Sequence, residues 1–326
     1  MAYNVLIELH GAEANANDLT RENFREVLAF LQKIPKQIGN NKKKWAGKSL
    51  RQIVEITHKE DNYEDQLFSI ENVNKYMRRI GQVMKWAERE PLIGRNYADE
   101  IYITPDETDN DDKRRLPFST EQLDTIFKSE YFISPIISEP STYWPILFGL
   151  FHGMRSEEIL QLRLSDFKTE EDILYIDIHK RNGNHLKNRA SIRKIPVHPF
   201  LLDLGLKSFI SQKNRDEQAH LFYDLTRGVD NKFTPSFSKR FSRFLTKINT
   251  KTTKTSFHST RHNFRDVARN ADISEARVCA LGGWTFSSGV HEGYGEGYWM
   301  SEKFKSLQKV TYPNVDFSHI KVIDWS

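Results

Sequence analysis

Apolar residues in the first hundred positions recur at helical spacing. In LTRENFREVLAFLQKI (19–34), Phe24, Val27, Leu28 and Leu31 share one face, and Thr20 is placed to cap the helix. SLRQIVEITHK (49–59) and SIENVNKYMRRIGQVMKWAERE (69–90) continue the pattern. The latter presents Val73, Met77, Ile80, Val83, Met84 and Trp86, with Trp86 expected in the core. A small helical domain is expected over residues 1–102. The period then breaks at ITPDETDNDDKRRLP, which is rich in turn formers, so residues 103–116 read as a linker.

A second domain is expected over residues 117–326. It opens with a Ser119/Thr120 cap before Glu121 and Gln122. STYWPILFGLFHGMRSEEILQLR (141–163) is strongly apolar up to Arg155, and Trp144 should lie in the core. DILYIDIH (172–179) and SIRKIPVH (191–198) alternate and are rich in β-formers, so they read as antiparallel strands joined by the basic turn GNHLKNRA. SDF (165–167) is placed to begin a third strand. From Pro199 onward the pattern is helical again.

Composition adds exclusions. At 326 residues, with about 150 residues per domain as a prior, two domains are expected. With 38% hydrophobic and 28% charged residues, neither a disordered nor a membrane class fits. No basic, apolar-cored leader opens the chain. The single cysteine, Cys279, excludes a disulfide framework and a multi-cysteine zinc site; set in the apolar run VCALGGW, it is expected to be a buried thiol.

The net charge of +4 conceals segregation. Residues 31–51, 178–194 and 231–265 each carry six or more Lys/Arg and no acid, whereas residues 99–112 carry seven acids and no base. The first run contains the loop NNKKKWAGK, where Lys42, Lys43, Lys44 and Lys48 surround an aromatic residue. The second contains Arg189, and the third Lys239, Arg240 and Arg243. Such runs can be solvated faces, but three of them flanking candidate chemistry point to a nucleic-acid partner, and the basic residues around the aromatic in the loop suit contact with a DNA backbone.

Three blocks carry that chemistry: GMRSEEILQLR with Arg155 and Glu158, SFHSTRHNFRDVA with His258 and Arg261 one helical turn apart, and LGGWTFSSGVHEGYGEGY with Trp284, Tyr294 and Tyr298. Lys187 lies between the first two, on the basic turn. His258 and His262 are spaced i, i+4 as in helical zinc motifs, but Ser259 stands where the glutamate would be and no third ligand is evident, so no metal is expected.

This ordered set resembles the tyrosine recombinase (phage integrase) family, whose pattern is an arginine in a G-x-R-x-x-E block, a lysine on a β-hairpin, an H-x-x-R block, a His or Trp, and then a tyrosine. The resemblance implies a mainly α fold, with a helical core-binding (SAM-like) N-terminal domain and a mainly helical catalytic domain holding a small antiparallel sheet. It implies that Arg155 and Arg261 stabilise the scissile phosphate, that Tyr294 attacks it to form a 3′-phosphotyrosyl link, and that Lys187 protonates the leaving 5′-oxygen. His258 would assist proton transfer, Trp284 would pack the site and donate its N–H, and Glu158 would orient Arg155 or His258. Lys180 and Lys194 compete with Lys187, and Tyr298 with Tyr294.

The tryptophan-to-tyrosine spacing is ten residues, one more than is commonest in the family. The implied activity is site-specific recombination for integration or excision of a mobile element or prophage, with no cofactor. Four protomers on two DNA sites, an accessory DNA-bending or directionality protein, and the cytoplasm of a bacterial host are implied with it. Topoisomerase-like relaxation and a non-catalytic DNA-binding role are the alternatives. About 18 residues precede the first helical pattern, too few for the arm-binding domain of many phage integrases. The apolar tail, with Val310, Tyr312, Val315, Phe317, Ile320, Val322, Ile323 and Trp325, would dock either on a neighbouring protomer or on its own domain.

Overall fold

A computed structural model describes residues 1–39, 43–104, 115–134, 139–286 and 297–320. The chain divides into two compact units, Met1–Asp111 and Asp112–Ser326. Most of the acidic stretch between the expected domains (105–114) and the tail residues Val322, Ile323 and Trp325 lie outside the described residues.

The first unit contains α1 (Ala2–His10), α2 (Arg21–Leu31), α3 (Leu50–Thr57) and α4 (Ile70–Arg89). Capping chemistry sets two of the starts. Thr20 and Asn23 form a reciprocal capping box at α2, and Ser49 and Gln52 another at α3, each satisfying backbone N–H groups that have no intrahelical acceptor. Helix α1 precedes the first expected helix; it contributes Val5 to the core. Its short apolar segment VLIEL spans too few turns to show a period.

One expectation about α4 is corrected. Val73, Met77, Ile80 and Met84 are buried, but Val83 is 61% and Trp86 56% exposed. At about 100° per residue, Trp86 sits about 140° from the centre of the buried stripe. Its apolar character does not place it inside. No helix among the described residues is long and apolar enough to cross a membrane.

The second unit begins with α5 (Thr120–Phe127), capped by Ser119 with Gln122, and α6 (Glu130–Ile133). Next come α7 (Pro140–His152) and α8 (Ser156–Leu160). Every residue of α7 is buried, including Trp144, so it is the central strut of the unit. The apolar run over 141–163 is thus two helices, broken at Gly153. This residue has φ +59°, and a Cβ there would collide with the Phe264 ring. The break turns the chain so that Arg155 stands immediately before α8.

Strands β1 (Phe167–Glu170), β2 (Ile173–Ile178) and β3 (Arg193–Pro196) form one antiparallel sheet in that order. Its register pairs Phe167 with Ile176 and Ile178 with Arg193. The remaining helices are α9 (Pro199–Asp203), α10 (Leu206–Arg215), α11 (Thr234–Lys247), α12 (Ser259–Asn270), α13 (Glu275–Gly282) and α14 (Met300–Leu307). Helix α12 lies close against α7: a Cβ at Gly149 would run into Thr260. The tail folds back on its own unit as far as Ile320. Val310, Tyr312, Val315 and Ile320 are buried, Phe317 packs on Phe127, and Tyr312 Oη donates to the Leu150 carbonyl at 2.8 Å. For these residues docking on a neighbour gives way to packing in place.

Candidate active site

Arg155 is the residue before α8, and Glu158 lies one turn into that helix. Glu158 is buried, and its carboxylate accepts from the Arg155 backbone N–H at 3.0 Å and from Arg155 Nη1 at 2.8 Å. It also accepts from Arg193 Nη2 at 2.9 Å. Burial alone would raise its pKa, but Arg193 first and then Arg155 outweigh this and hold it down at about 2. Glu158 is therefore ionised at neutral pH, with Oε1 on the Arg155 side chain and Oε2 on its backbone N–H.

The C-terminal end of α13 is the second organising element. Its last carbonyls have no intrahelical donors and carry the negative end of the helix dipole. Three guanidinium groups meet three successive carbonyls there. Arg193 Nε donates to Leu281 at 2.8 Å, Arg261 Nη1 to Gly282 at 2.9 Å, and Arg155 Nη2 to Gly283 at 3.0 Å. Arg261 Nη1 also donates to the Gly153 carbonyl, at the break between α7 and α8. Gly283 closes the helix at φ +69°. Its missing Cβ leaves room for the Arg193 guanidinium.

Arg261 is buried one turn into α12. Desolvation, then repulsion from Arg155, lowers its pKa to about 9, so it stays cationic at neutral pH. Its Nε is buried with no hydrogen-bond partner among the described residues. Trp284 lies under it, with 4.1 Å between the guanidinium carbon and the ring centroid. The expected tryptophan thus serves as a plate that fixes the arginine plane. His258 precedes α12, and its ring lies 5.2 Å from that of His262. Loss of solvent on its inner side, followed by the charges of Arg261, His262, Arg155 and Lys187, pushes His258 down to about 4. It is a neutral imidazole at pH 7.

Lys187 and Arg189 are exposed in the connection between β2 and β3. Of the competing lysines, Lys180 is exposed at the end of β2, whereas Lys194 is held by Glu170, which raises its pKa. Tyr294 lies outside the described residues. Tyr298 is half-buried, with the Arg277 guanidinium over its ring at 5.2 Å.

His258 and Arg261 line a cleft of about 970 Å³ with Arg115, Lys251 and eight serine and threonine side chains. Hydroxyls, lysines and arginines are the groups that contact nucleic-acid phosphates. Among the basic candidates, Lys239 and Arg243 are exposed on α11. Arg240 is instead held within the fold by Asp224 at 2.7 Å and Ser141 at 2.6 Å. In the first unit Lys43 and Lys48 are exposed. Lys44 pairs with Glu60 at 2.6 Å and lies 4.5 Å over buried Trp45, and Lys42 lies outside the described residues. Among the described residues, no three His, Cys, Asp or Glu side chains gather to hold a metal ion.

Arg193 was not among the expected site residues. Its signal was present: on a strand of period two, Arg193 shares the inward face of Ile195, and a cation facing inward needs a buried partner.

Residues 137–295 match the sequence model of the phage integrase family. That match runs from just before α7 to the residue after Tyr294 and includes Arg155, Lys187, His258, Arg261, Trp284 and Tyr294. Over these residues the larger unit is similar to the phage integrase family. Solved structures with the same fold include the Tn1549 transposon integrase in complex with transposon right end DNA. It is 14% identical with a TM-score of 0.55, covering 87% of this chain and 84% of that one. The lambda integrase dimer bound to a COC′ core site is 13% identical with a TM-score of 0.50, covering 87% of this chain and 83% of that one. No curated protein matches the sequence. The family's mainly helical fold with a small sheet is what the expected architecture described.

Proposed function

We propose that this chain is a member of the phage integrase family and a site-specific DNA recombinase. It breaks and rejoins duplex DNA through a 3′-phosphotyrosyl intermediate, to integrate or excise a mobile element in a bacterial host cytoplasm. The observation that carries this reading is the pairing of Arg155 and Arg261, both anchored on adjacent carbonyls of one helix end beside a neutral histidine. Guanidinium groups held this way meet the charge that grows on a pentacoordinate phosphate without reorganising during the reaction.

The Tyr294 oxygen forms a bond to phosphorus, and its proton passes to neutral His258. The bond from phosphorus to the 5′-oxygen breaks, and that oxygen takes a proton from Lys187. Attack by a 5′-hydroxyl of another strand reverses the steps and exchanges partners. Two sites and paired cleavages require four protomers on DNA, with an accessory DNA-bending or directionality protein setting direction. The first unit would bind DNA through Lys42, Lys43, Lys44 and Lys48, and the second through Arg189, Lys239 and Arg243.

The test uses a nicked duplex carrying the sequence that the protein selects from a random duplex library. A covalent protein–DNA adduct is expected, lost in Tyr294→Phe and retained in Tyr298→Phe. The reverse outcome would move the nucleophile to Tyr298. Relaxation of supercoiled DNA without two-site exchange would favour a topoisomerase role. Because His258 must be neutral to accept a proton, adduct formation should stay level on its acid side until the pH approaches about 4.

A further inference from the structure

Arg193 takes no part in the steps above, yet it is among the most completely bound charged side chains of the site. Only 6% of it is exposed. Nε donates to Leu281 O at 2.8 Å, Nη1 to Ser191 O at 2.7 Å and Nη2 to Glu158 Oε2 at 2.9 Å. With each of its three nitrogens bound to a protein oxygen and little of the side chain exposed, it does not offer a fork to DNA. Arg155 differs, being 18% exposed.

A carboxylate facing one guanidinium tends to draw it into a two-bond fork. Glu158 does not do this to Arg155. Only Oε1 holds the Arg155 side chain, because Oε2 is occupied by Arg193 and by the Arg155 backbone N–H. Arg155 is thereby left to place Nη2 on Gly283 and to share Nη1 with Ser191 Oγ at 3.0 Å. Ser191 lies two residues before Arg193, on the same hairpin arm that follows Lys187. Arg193 thus touches the arm that carries the candidate acid, the carboxylate behind Arg155, and the helix end that leads to Trp284.

We infer that Arg193 is a positioning residue: by occupying Glu158 Oε2 and pinning β3 to the end of α13, it keeps Arg155 turned toward the scissile phosphate. This inference rests on the recombinase reading above. Without Arg193, Glu158 would fork onto Arg155 and withdraw it.

The experiment measures single-turnover adduct formation on the selected nicked duplex, together with equilibrium binding of the same duplex unnicked. Arg193→Gln should slow adduct formation by about 100-fold, with binding changed by no more than about threefold. The deficit should shrink as the pH is lowered, because Glu158 without Arg193 protonates more readily and releases Arg155. Adding Glu158→Gln to Arg193→Gln should recover at least about tenfold. Arg193→Lys, which keeps a cation but loses the three-way fork, should be impaired less and without a changed pH profile; it serves also if Arg193→Gln does not fold.

Wild-type rates in Arg193→Gln would overturn the inference. So would a double variant no faster than the single one with a pH profile parallel to wild type. In DNA-free protein, the Arg155 side-chain NMR signal should shift in Arg193→Gln and return in the double variant; an unmoved signal also overturns it. If wild-type protein forms no adduct, the recombinase reading fails, while the NMR measurement still decides the positioning role.

Discussion

Two regions of this protein hold cations in opposite ways. Around the end of α13, Arg155, Arg193 and Arg261 are each bound to backbone carbonyls, and Arg155 and Arg193 also to a buried carboxylate. On α11 and in the loop before α3, Lys239, Arg243, Lys43 and Lys48 stand exposed. The first arrangement gives up solvation to gain direction, and a fixed donor set suits a reacting phosphate. The second keeps solvation and mobility, which suits neutralising a polyanion without regard to register. The same residue types are thus assigned to chemistry or to affinity by what lies behind them. Arg240 belongs to neither kind, since Asp224 and Ser141 turn it inward.

The sharpest way to break this contrast is to remove a bound arginine. Arg261→Ala and Arg155→Ala should each reduce single-turnover adduct formation by about 10²–10³-fold, as expected for loss of one preorganised donor. Binding measured by gel shift should change far less. Equal losses in both would make these arginines phosphate anchors and erase the distinction.

Glu158 offers a test in the absence of DNA. Its carboxyl titrates at about 2 in the fold, against an ordinary 4.5. A depressed folded pKa means stability that is complete above pH 4.5 and lost as the pH falls toward 2. The contribution is of order 3 kcal/mol. Urea unfolding followed from pH 6 to pH 2 should show this decline, and Glu158→Gln should flatten that part of it. An unchanged slope would mean that the arginine cluster does not hold Glu158 ionised.

Much of this was legible in the sequence because periodicity and capping are local. Thr20, Ser49 and Ser119 announce their helices within four residues, and the alternation in ILYIDI and RKIP marks a hairpin. Apolar character alone places Trp86 inside, although its helical phase, about 140° from the stripe of Val73, Met77, Ile80 and Met84, turns it outward. What was not legible depends on distant partners. The role of Arg193 arises from Glu158, 35 residues earlier, and from Leu281, 88 residues later. The ordered motif blocks named Arg155 and Arg261, but not that one helix end would gather them with Arg193.

The backbone break that starts α8 gives a smaller effect. Gly153→Ala would need both a left-handed backbone and displacement of the Phe264 ring. A cost of about 2–4 kcal/mol is expected, read as a lower urea midpoint with unchanged slope. Because Arg261 also donates to the Gly153 carbonyl, the variant should lose more cleavage than its remaining folded fraction accounts for. Proportional losses would separate the turn from the site.

The exposed cations should give the smallest changes, and they test the other half of the contrast. Lys239 and Arg243 are exposed on α11, so in Lys239→Ala and Arg243→Ala folding stability should shift by less than about 0.5 kcal/mol. Each cation that meets a phosphate releases bound counterions, so removing it should reduce the slope of log affinity against log salt by about 0.9. The cleavage rate of the bound complex should stay at wild type. Binding titrations at several salt concentrations, paired with single-turnover rates at saturating protein, separate the two quantities. If Lys239→Ala or Arg243→Ala lowers the bound-state rate while the salt slope stays put, that residue belongs with the arginines around α13, and exposure alone would no longer sort affinity from chemistry.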